Sequence, residues 1–264
     1  MWGQHHAQES IEPQALARLR GFAAEPQIRT GAELVQLSVR EISELFGVPE
    51  SRIYRWVHEE GLPSLSTDGQ HYFNRSEVLE WASLKKIALS PKAVREWSTL
   101  APGSDSLAMA LRAGGVARVT AAASRQDALQ AVARLIPVAE ESDRAPLLEL
   151  LLAREAQGST AVNDGIAIPH PRHPMVMTTD HAIFLVAYLD PAVDFGAADG
   201  RPVHTLLALV SPTIRSHLAM LARIAVALRD AKFRSLLEKR SSAEELLAEI
   251  ERIEAPYHDP DRTP

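Results

Sequence analysis

The residues best equipped for chemistry gather around one histidine. His170 stands between Pro169 and Pro171 after the apolar run Ile166-Ala167-Ile168, with Arg154 and Gly158-Ser159-Thr160 upstream and His217 downstream. The chain has no cysteine, so any nucleophile or metal ligand must come from histidine, hydroxyl or carboxylate groups. A neutral imidazole is a competent nucleophile near physiological pH, and a phosphoryl group on its nitrogen sits in a labile P–N bond that passes the group onward. Such a transfer asks little covalent help of a protein; it asks for positioning and for positive charge around three oxygens. Arg154 supplies a planar fork for those oxygens. His217 falls where a long amphipathic helix begins, so the backbone N–H groups of that terminus favour an anion while the imidazole offers a hydrogen bond. The flanking prolines hold the backbone around His170 extended and limit its freedom.

Each of these residues also has an ordinary structural reading. A histidine ending an apolar strand often serves only as a hydrogen-bonded core residue, and Arg154 alone would suit a helix C-terminus, where a cation offsets the dipole. It is their combination in one pattern that favours a site. His204 and His181, in or beside expected strands, read as structural. His170 and His173 suggest a metal pair, but no third ligand cluster accompanies them, so no metal is expected.

The segment Arg154-Glu155-Ala156-Gln157-Gly158-Ser159-Thr160, followed by Asp164-Gly165-Ile166-Ala167-Ile168-Pro169-His170-Pro171, resembles the active-site signature of the enzyme IIA components of the bacterial phosphoenolpyruvate-dependent phosphotransferase system (PTS), of the fructose, mannitol and nitrogen-regulatory type. Asp199-Gly200-Arg201-Pro202-Val203-His204, Val210-Ser211-Pro212 and His217-Leu218 extend the resemblance, which covers roughly residues 115 to 255. The resemblance implies that His170 receives a phosphoryl group from a phosphocarrier protein of the HPr or NPr type. It also implies that Arg154 and His217 stabilise that group, with Gly158, Ser159 and Thr160 supporting the phosphate site and no cofactor involved. Ala161-Val162-Asn163-Asp164 before Gly165 departs from the family's commoner glycine-rich lead-in.

The elements that must position these residues follow from periodicity. Ser124 caps a helix bearing Ala128, Leu129, Val132 and Leu135, and Leu147 to Leu152 form another that ends near Arg154. Ile166 to Ile168, Ala182 to Tyr188 and Val203 to Val210 are apolar runs of strand length and predict a buried sheet. Leu218, Leu221, Ile224, Ala225 and Leu228 mark a long helix, and Ser242 with Glu245 opens the last one.

Nearer the amino terminus, Ser38 and Glu41 form a capping box before Val39, Ile42, Leu45 and Phe46, and Gly47-Val48-Pro49 breaks that helix. A second helix follows with Ile53, Trp56 and Val57 inward and Ser51, Arg52, Tyr54, Arg55 and His58 outward. The turn-rich Gly61 to Gly69 and a short strand at His71-Tyr72-Phe73 read as a wing, and Asn74 with Glu77 caps a third helix. Residues 37 to 83 resemble an excisionase or MerR-type winged helix-turn-helix, which implies that Ser51, Arg52, Tyr54 and Arg55 face the DNA groove and Arg75 contacts the backbone from the wing. Residues 35 to 90 carry six Lys and Arg against eight Asp and Glu, a net of −2, so useful DNA affinity is expected to need two copies. A helical docking module without DNA affinity remains the other reading.

The expected organisation is an α/β two-domain protein: a partly ordered arm at 1–34, a winged helix-turn-helix at 35–88, a linker at 89–114, and an α/β sandwich with a mixed sheet flanked by helices at 115–264. No stretch approaches the roughly 20 apolar residues that span a bilayer, so a cytoplasmic location is expected. The whole-chain net charge of −6 gives no general reason to bind nucleic acid. The combination reads as a bacterial regulator that couples PTS phosphorylation to DNA binding. A transport component passing its phosphoryl group to a separate IIB, and an interaction protein that touches no DNA, stay open beside it.

Overall fold

A computed structural model describes residues 36–67, 69–93, 106–171 and 181–258. Chain contacts divide the molecule into Met1–Thr30 and Gly31–Pro264, and every described residue belongs to the second unit. The expected arm at 1–34, and His173, lie outside the described residues.

The amino-terminal part is the winged helix-turn-helix that the capping signals predict. β1 (Gln36–Ser38) leads into α1 (Val39–Phe46), where Ser38 and Glu41 make the reciprocal capping box. Gly47 closes α1 with φ 66°, a left-handed conformation that costs glycine little, and α2 (Glu50–Glu59) follows at once. The wing is the antiparallel pair β2 (Leu65–Thr67) and β3 (Gln70–Asn74), with β1 on the other edge of β3. The side chain of Asn74 then accepts from both Ser76 N and Glu77 N and starts α3 (Arg75–Lys85). Three aromatic rings lock these helices together: Phe46 meets Trp56 edge-on at 5.2 Å, and Trp56 meets Trp81 at 5.2 Å. Each such pair contributes about 1 kcal/mol beyond its buried area. Trp81 Nε1 also donates to Glu60 O at 3.1 Å, which fixes the rotation of α3.

The carboxy-terminal part is an α/β layer structure on a mixed four-stranded sheet of order β4-β6-β7-β5, formed by β4 (Val116–Thr120), β5 (Ile166–Ala167), β6 (Ile183–Val193) and β7 (Val203–Val210). β6 and β7 are antiparallel, while β4 on β6 and β5 on β7 are parallel. Ile183 to Leu189 are all buried because both faces of the sheet are covered. Phe184, Val186, Tyr188, Leu207 and Leu209 join one apolar cluster, and Ile183, Leu185, Ala187, Leu206 and Ala208 join the other. The second cluster is completed by α5 (Arg125–Leu135) and α6 (Arg144–Ala156). The first is completed by α4 (Leu107–Gly114), α7 (Ile214–Arg229), α8 (Ala231–Glu238) and α9 (Ala243–His258), and it runs without a break into the core of the winged module. Helix α3 packs on α7, so the two parts share apolar surface.

Two elements depart from the expected outline. The span 89–114, expected to be a linker, contains α4, whose Leu107, Ala108, Ala110 and Leu111 are buried. Its N-terminal N–H groups are satisfied from far away: Leu107 N and Ala108 N donate to the Glu254 carboxylate at 2.9 and 3.2 Å, and Glu254 also pairs with Arg223. β4 is the other departure, since periodicity predicts that helices alone open the domain; only Val119 of its five residues is buried, so its pattern is weak.

Candidate functional site

His170 is placed by a short loop whose backbone is tied at both ends. Ile168 N donates to Thr160 O at 3.0 Å, and Val162 N donates to Ile166 O at 2.9 Å, which folds 160–168 back on itself. The reversal is made by Asn163, Asp164 and Gly165, with φ of 75°, 53° and 71°. Asn and Asp are the side chains that tolerate this left-handed region best after glycine. Leu209 N of β7 donates to Pro169 O at 3.0 Å, which anchors the residue before His170 to the central sheet.

The imidazole is 1% exposed, and each ring nitrogen has an oxygen neighbour. Nδ1 lies 2.7 Å from Ile168 O, and Nε2 lies 2.9 Å from a Glu80 carboxylate oxygen. A carbonyl only accepts, so Nδ1 carries a proton and Nε2 is the nitrogen that looks into the site. His217, 4% exposed in the first turns of α7, brings its ring centroid within 5.2 Å of that of His170. Helix α7 is capped by the Thr213 side chain, which accepts from Ser216 N. The partial positive charge of that N-terminus therefore lies on the His217 side of the site.

Arg154, in the last turn of α6, donates to Gly158 O at 2.9 Å and forms an ion pair with Glu80. Glu155 beside it is 4% exposed; its carboxylate accepts from Thr160 N at 3.0 Å and from the Thr160 hydroxyl at 2.6 Å. Ser159 donates to Phe195 O at 2.6 Å. Gly158, Ser159 and Thr160 therefore hold the loop that carries Arg154 and His170, through their backbone and hydroxyl bonds.

The side chain between His170 and Arg154 comes from the other part of the molecule. Glu80 of α3 offers one carboxylate oxygen to His170 and the other to Arg154. Burial pushes its carboxyl up, but the hydrogen bond and charge of His170, with the charge and hydrogen bond of Arg154, outweigh that and hold it at about 2. Farther along α3, Asn163 Nδ2 donates to Leu84 O at 3.1 Å and Lys86 pairs with Asp164 at 2.6 Å. A cleft of about 340 Å³ lies along this seam, lined among others by Glu77, Glu80, Trp81, Arg154, Thr160 and His170.

The structure thus gathers His170, His217, Arg154 and the 158–160 loop at one place. Glu80, Glu155 and the Asn163-Asp164 turn belong to the same place, although the sequence pattern does not mark them as site residues. Glu155 stands within the signature segment, next to Arg154, and that position is its signal. Glu80 has no such signal, being one acid among eight in its segment. Among the described residues no cluster of three His, Asp or Glu side chains is placed to hold a metal ion. His204 is half-buried in β7 beside the Thr205 hydroxyl at 2.8 Å, and burial lowers its pKa. His181 is exposed just before β6.

The DNA candidates lie elsewhere. Ser51, Arg52, Tyr54 and Arg55 are all exposed on α2, and the Arg52 guanidinium stacks on the Trp56 ring at 5.7 Å. Arg75 differs from its expected position: it opens α3 and is half-buried, rather than standing on the wing strands, because Asn74 ends β3 and caps the helix there.

Known proteins bear on both parts. Residues 110–253 match the family described as phosphoenolpyruvate-dependent sugar phosphotransferase system, EIIA 2, and residues 37–83 match a helix-turn-helix domain. The chain is 41% identical over 117 residues to a nitrogen regulatory protein of Pseudomonas aeruginosa, an alignment covering 44% of this chain and 72% of that one. It is 40% identical over 110 residues to a nitrogen regulatory protein of Bradyrhizobium diazoefficiens, covering 40% and 69%. Among solved structures, the nitrogen regulatory protein IIA-Ntr of Neisseria meningitidis superposes with a TM-score of 0.44 at 28% identity, over 51% of this chain and 91% of that one. No helix among the described residues is long and apolar enough to cross a membrane.

Proposed function

Because the chain belongs to the phosphoenolpyruvate-dependent sugar phosphotransferase system EIIA 2 family, we propose that it is a cytoplasmic PTS-linked regulator phosphorylated on Nε2 of His170. The observation that carries this reading is the Nδ1 contact with Ile168 O at 2.7 Å, which leaves Nε2 as the ring nitrogen on the side of the Glu80 carboxylate that Arg154 also pairs with. The donor is a phosphocarrier of the HPr or NPr type. As the Nε2–P bond forms, the donor's own P–N bond breaks and its ring leaves as a neutral imidazole. His170 enters the step with Nε2 unprotonated and keeps its Nδ1 proton on Ile168 O, so no proton moves in the transfer itself. Arg154 and His217 steady the phosphoryl oxygens, and the α7 terminus adds its partial charge.

Labelling tests this. Incubation with phosphoenolpyruvate, enzyme I and a phosphocarrier is expected to give an acid-labile, alkali-stable label on one histidine. His170→Ala removes it; a His170→Ala protein labelled as fully as the parent refutes the reading, and label on His217 exchanges the two roles.

The regulatory half of the proposal rests on the helix-turn-helix part. Its outward row Ser51, Arg52, Tyr54 and Arg55 is exposed and carries the positive charge that a major-groove helix uses. A homodimer reading two half-sites supplies the affinity that one module of net charge −2 lacks. The division into a reader at 35–88 and a phosphoacceptor domain that takes in α4 and so begins near residue 107 is part of the same proposal. Docking by this module is favoured by a separate observation, the Glu80 contact, and need not exclude DNA.

A further inference from the structure

Resting on the acceptor role of His170, we propose that α3 of the winged module is a latch on the phosphoacceptor site, with the Glu80 carboxylate occupying the place of the phosphoryl group. The docked module and phosphorylated His170 then exclude each other.

Three observations carry this. First, Glu80 bonds to His170 and Arg154 together, the same imidazole nitrogen and the same guanidinium that a phosphoryl group on Nε2 requires. With Glu80 Oε1 only 2.9 Å from Nε2, a phosphorus atom bonded to that nitrogen has no room. Second, an ionised carboxylate accepts and never donates, and Nδ1 already donates to Ile168 O, so in the docked state both ring nitrogens carry protons and Nε2 has no lone pair for attack; its proton is given up to solvent as Glu80 leaves, before any transfer. Third, the contact is one of a set. Leu84 O accepts from Asn163 and Lys86 pairs with Asp164, while Trp81 next to Glu80 is fixed within the winged module by Glu60 O and the Trp56 ring, so that α3 presents Glu80 on a rigid support. Glu80, Leu84 and the cleft-lining Glu77 and Trp81 fall on one face of α3, the face turned to the site.

The exclusion works in both directions. A phosphoryl group brings about two negative charges to a position beside a carboxylate, so phosphorylation expels Glu80. By linkage, docking weakens phosphorylation by the same factor as phosphorylation weakens docking. Ser51, Arg52, Tyr54 and Arg55 are exposed while α3 is docked. Release therefore changes where the module is held, not whether its outward helix is uncovered.

The test uses the full chain. Parent, Glu80→Ala, Lys86→Ala and His170→Ala proteins, each checked for native thermal unfolding, are mixed with phosphorylated phosphocarrier. The label is followed in time and mapped to its residue. Glu80→Ala is expected to be labelled on His170 about 10- to 100-fold faster than the parent, because two charge-assisted bonds no longer hold the closed state. Lys86→Ala touches no reacting atom and weakens only an exposed pair, so a gain of about 2- to 5-fold is expected. In the parent, amide exchange over 75–85 should rise once His170 is phosphorylated. Equal rates for parent and Glu80→Ala with label on His170, or unchanged exchange in α3, overturn the latch and leave the acceptor role standing. Absence of label on His170 in both overturns the acceptor role and the latch with it.

Discussion

Replacing Glu155 by alanine isolates the part of the proposed phosphoacceptor site that neither receives the phosphoryl group nor grips its oxygens. The carboxylate is 4% exposed and accepts two bonds from Thr160, itself 5% exposed, with Arg125 a further 3.4 Å away. A hydrogen bond to a charged group is worth about 1.5–3 kcal/mol. The two share one oxygen and do not add fully, so the loss is set at roughly 3 kcal/mol, including a buried Thr160 N–H left without its acceptor. For a chain of this size that lowers Tm by about 6–12 °C. Glu155→Gln keeps an acceptor oxygen but not the charge and should cost about half as much. The functional consequence follows from Gly158 O, which orients Arg154 at 2.9 Å: once the loop loosens, the guanidinium loses its aim, and labelling of His170 slows even at temperatures where the protein stays folded. Calorimetry and a labelling time course on the parent, Glu155→Ala and Glu155→Gln test both halves. A Glu155→Ala protein within about 1 kcal/mol of the parent, or one that melts early yet labels at the parental rate in a Glu80→Ala background, refutes the reasoning.

Three further outcomes are expected. A Cβ on Gly114 would lie 2.3 Å from Phe184 O, a backbone atom that cannot swing aside, so Gly114→Ala should destabilise by about 1–3 kcal/mol or more as α4 is forced off β6; a chemical denaturation midpoint equal to the parent's contradicts this. Burial pushes the Tyr188 hydroxyl up to about 12, and it donates to Ser241 O at 3.0 Å. The folded value lies above the unfolded one of about 10, so the neutral hydroxyl contributes stability in full below pH 10 and loses it as pH rises through 12. Ultraviolet titration should show one of the four tyrosines ionising last, and Tyr188→Phe should remove that step. Arg52→Ala/Arg55→Ala should weaken enrichment of genomic DNA fragments and lower the slope of affinity against salt by about one for each phosphate no longer neutralised; no enrichment by parent or variant in either phosphorylation state leaves the module as a docking element alone.

How much of this is legible in the sequence depends on where each signal is stored. The capping box Ser38/Glu41, the Asn74 cap and the buried runs of β6 and β7 are local and appear where expected, except that β6 continues past Tyr188, through an irregularity, to Val193. Helix α4 is different. Its buried face includes two alanines, which give little periodic hydropathy, and its first N–H groups are satisfied by Glu254, 147 residues away for Leu107. β4 shows one buried residue and owes its existence to a parallel neighbour, β6. Around His170 the same division holds: Arg154, Gly158 to Thr160 and His217 stand in a recognisable pattern, whereas Glu80 is identified only by what α3 packs against.

The Asn163-Asp164 pair shows why such a residue is invisible until the fold is known. Before Gly165 the family's commoner form is rich in glycine, and a run of left-handed φ angles explains that preference without any partner. Asn and Asp satisfy the same backbone requirement at a small conformational cost, so by local criteria the departure is nearly neutral. What glycine lacks is a side chain, and here those side chains bond to Leu84 O and Lys86 at the end of α3. Local backbone demand and long-range docking are thus met by the same two residues. If that is the reason they stand there, Asn163→Gly/Asp164→Gly should keep the turn and the fold, yet speed labelling of His170 as loosening α3 by Glu80→Ala does. A double glycine variant that labels at the parental rate would reduce the departure to backbone preference alone.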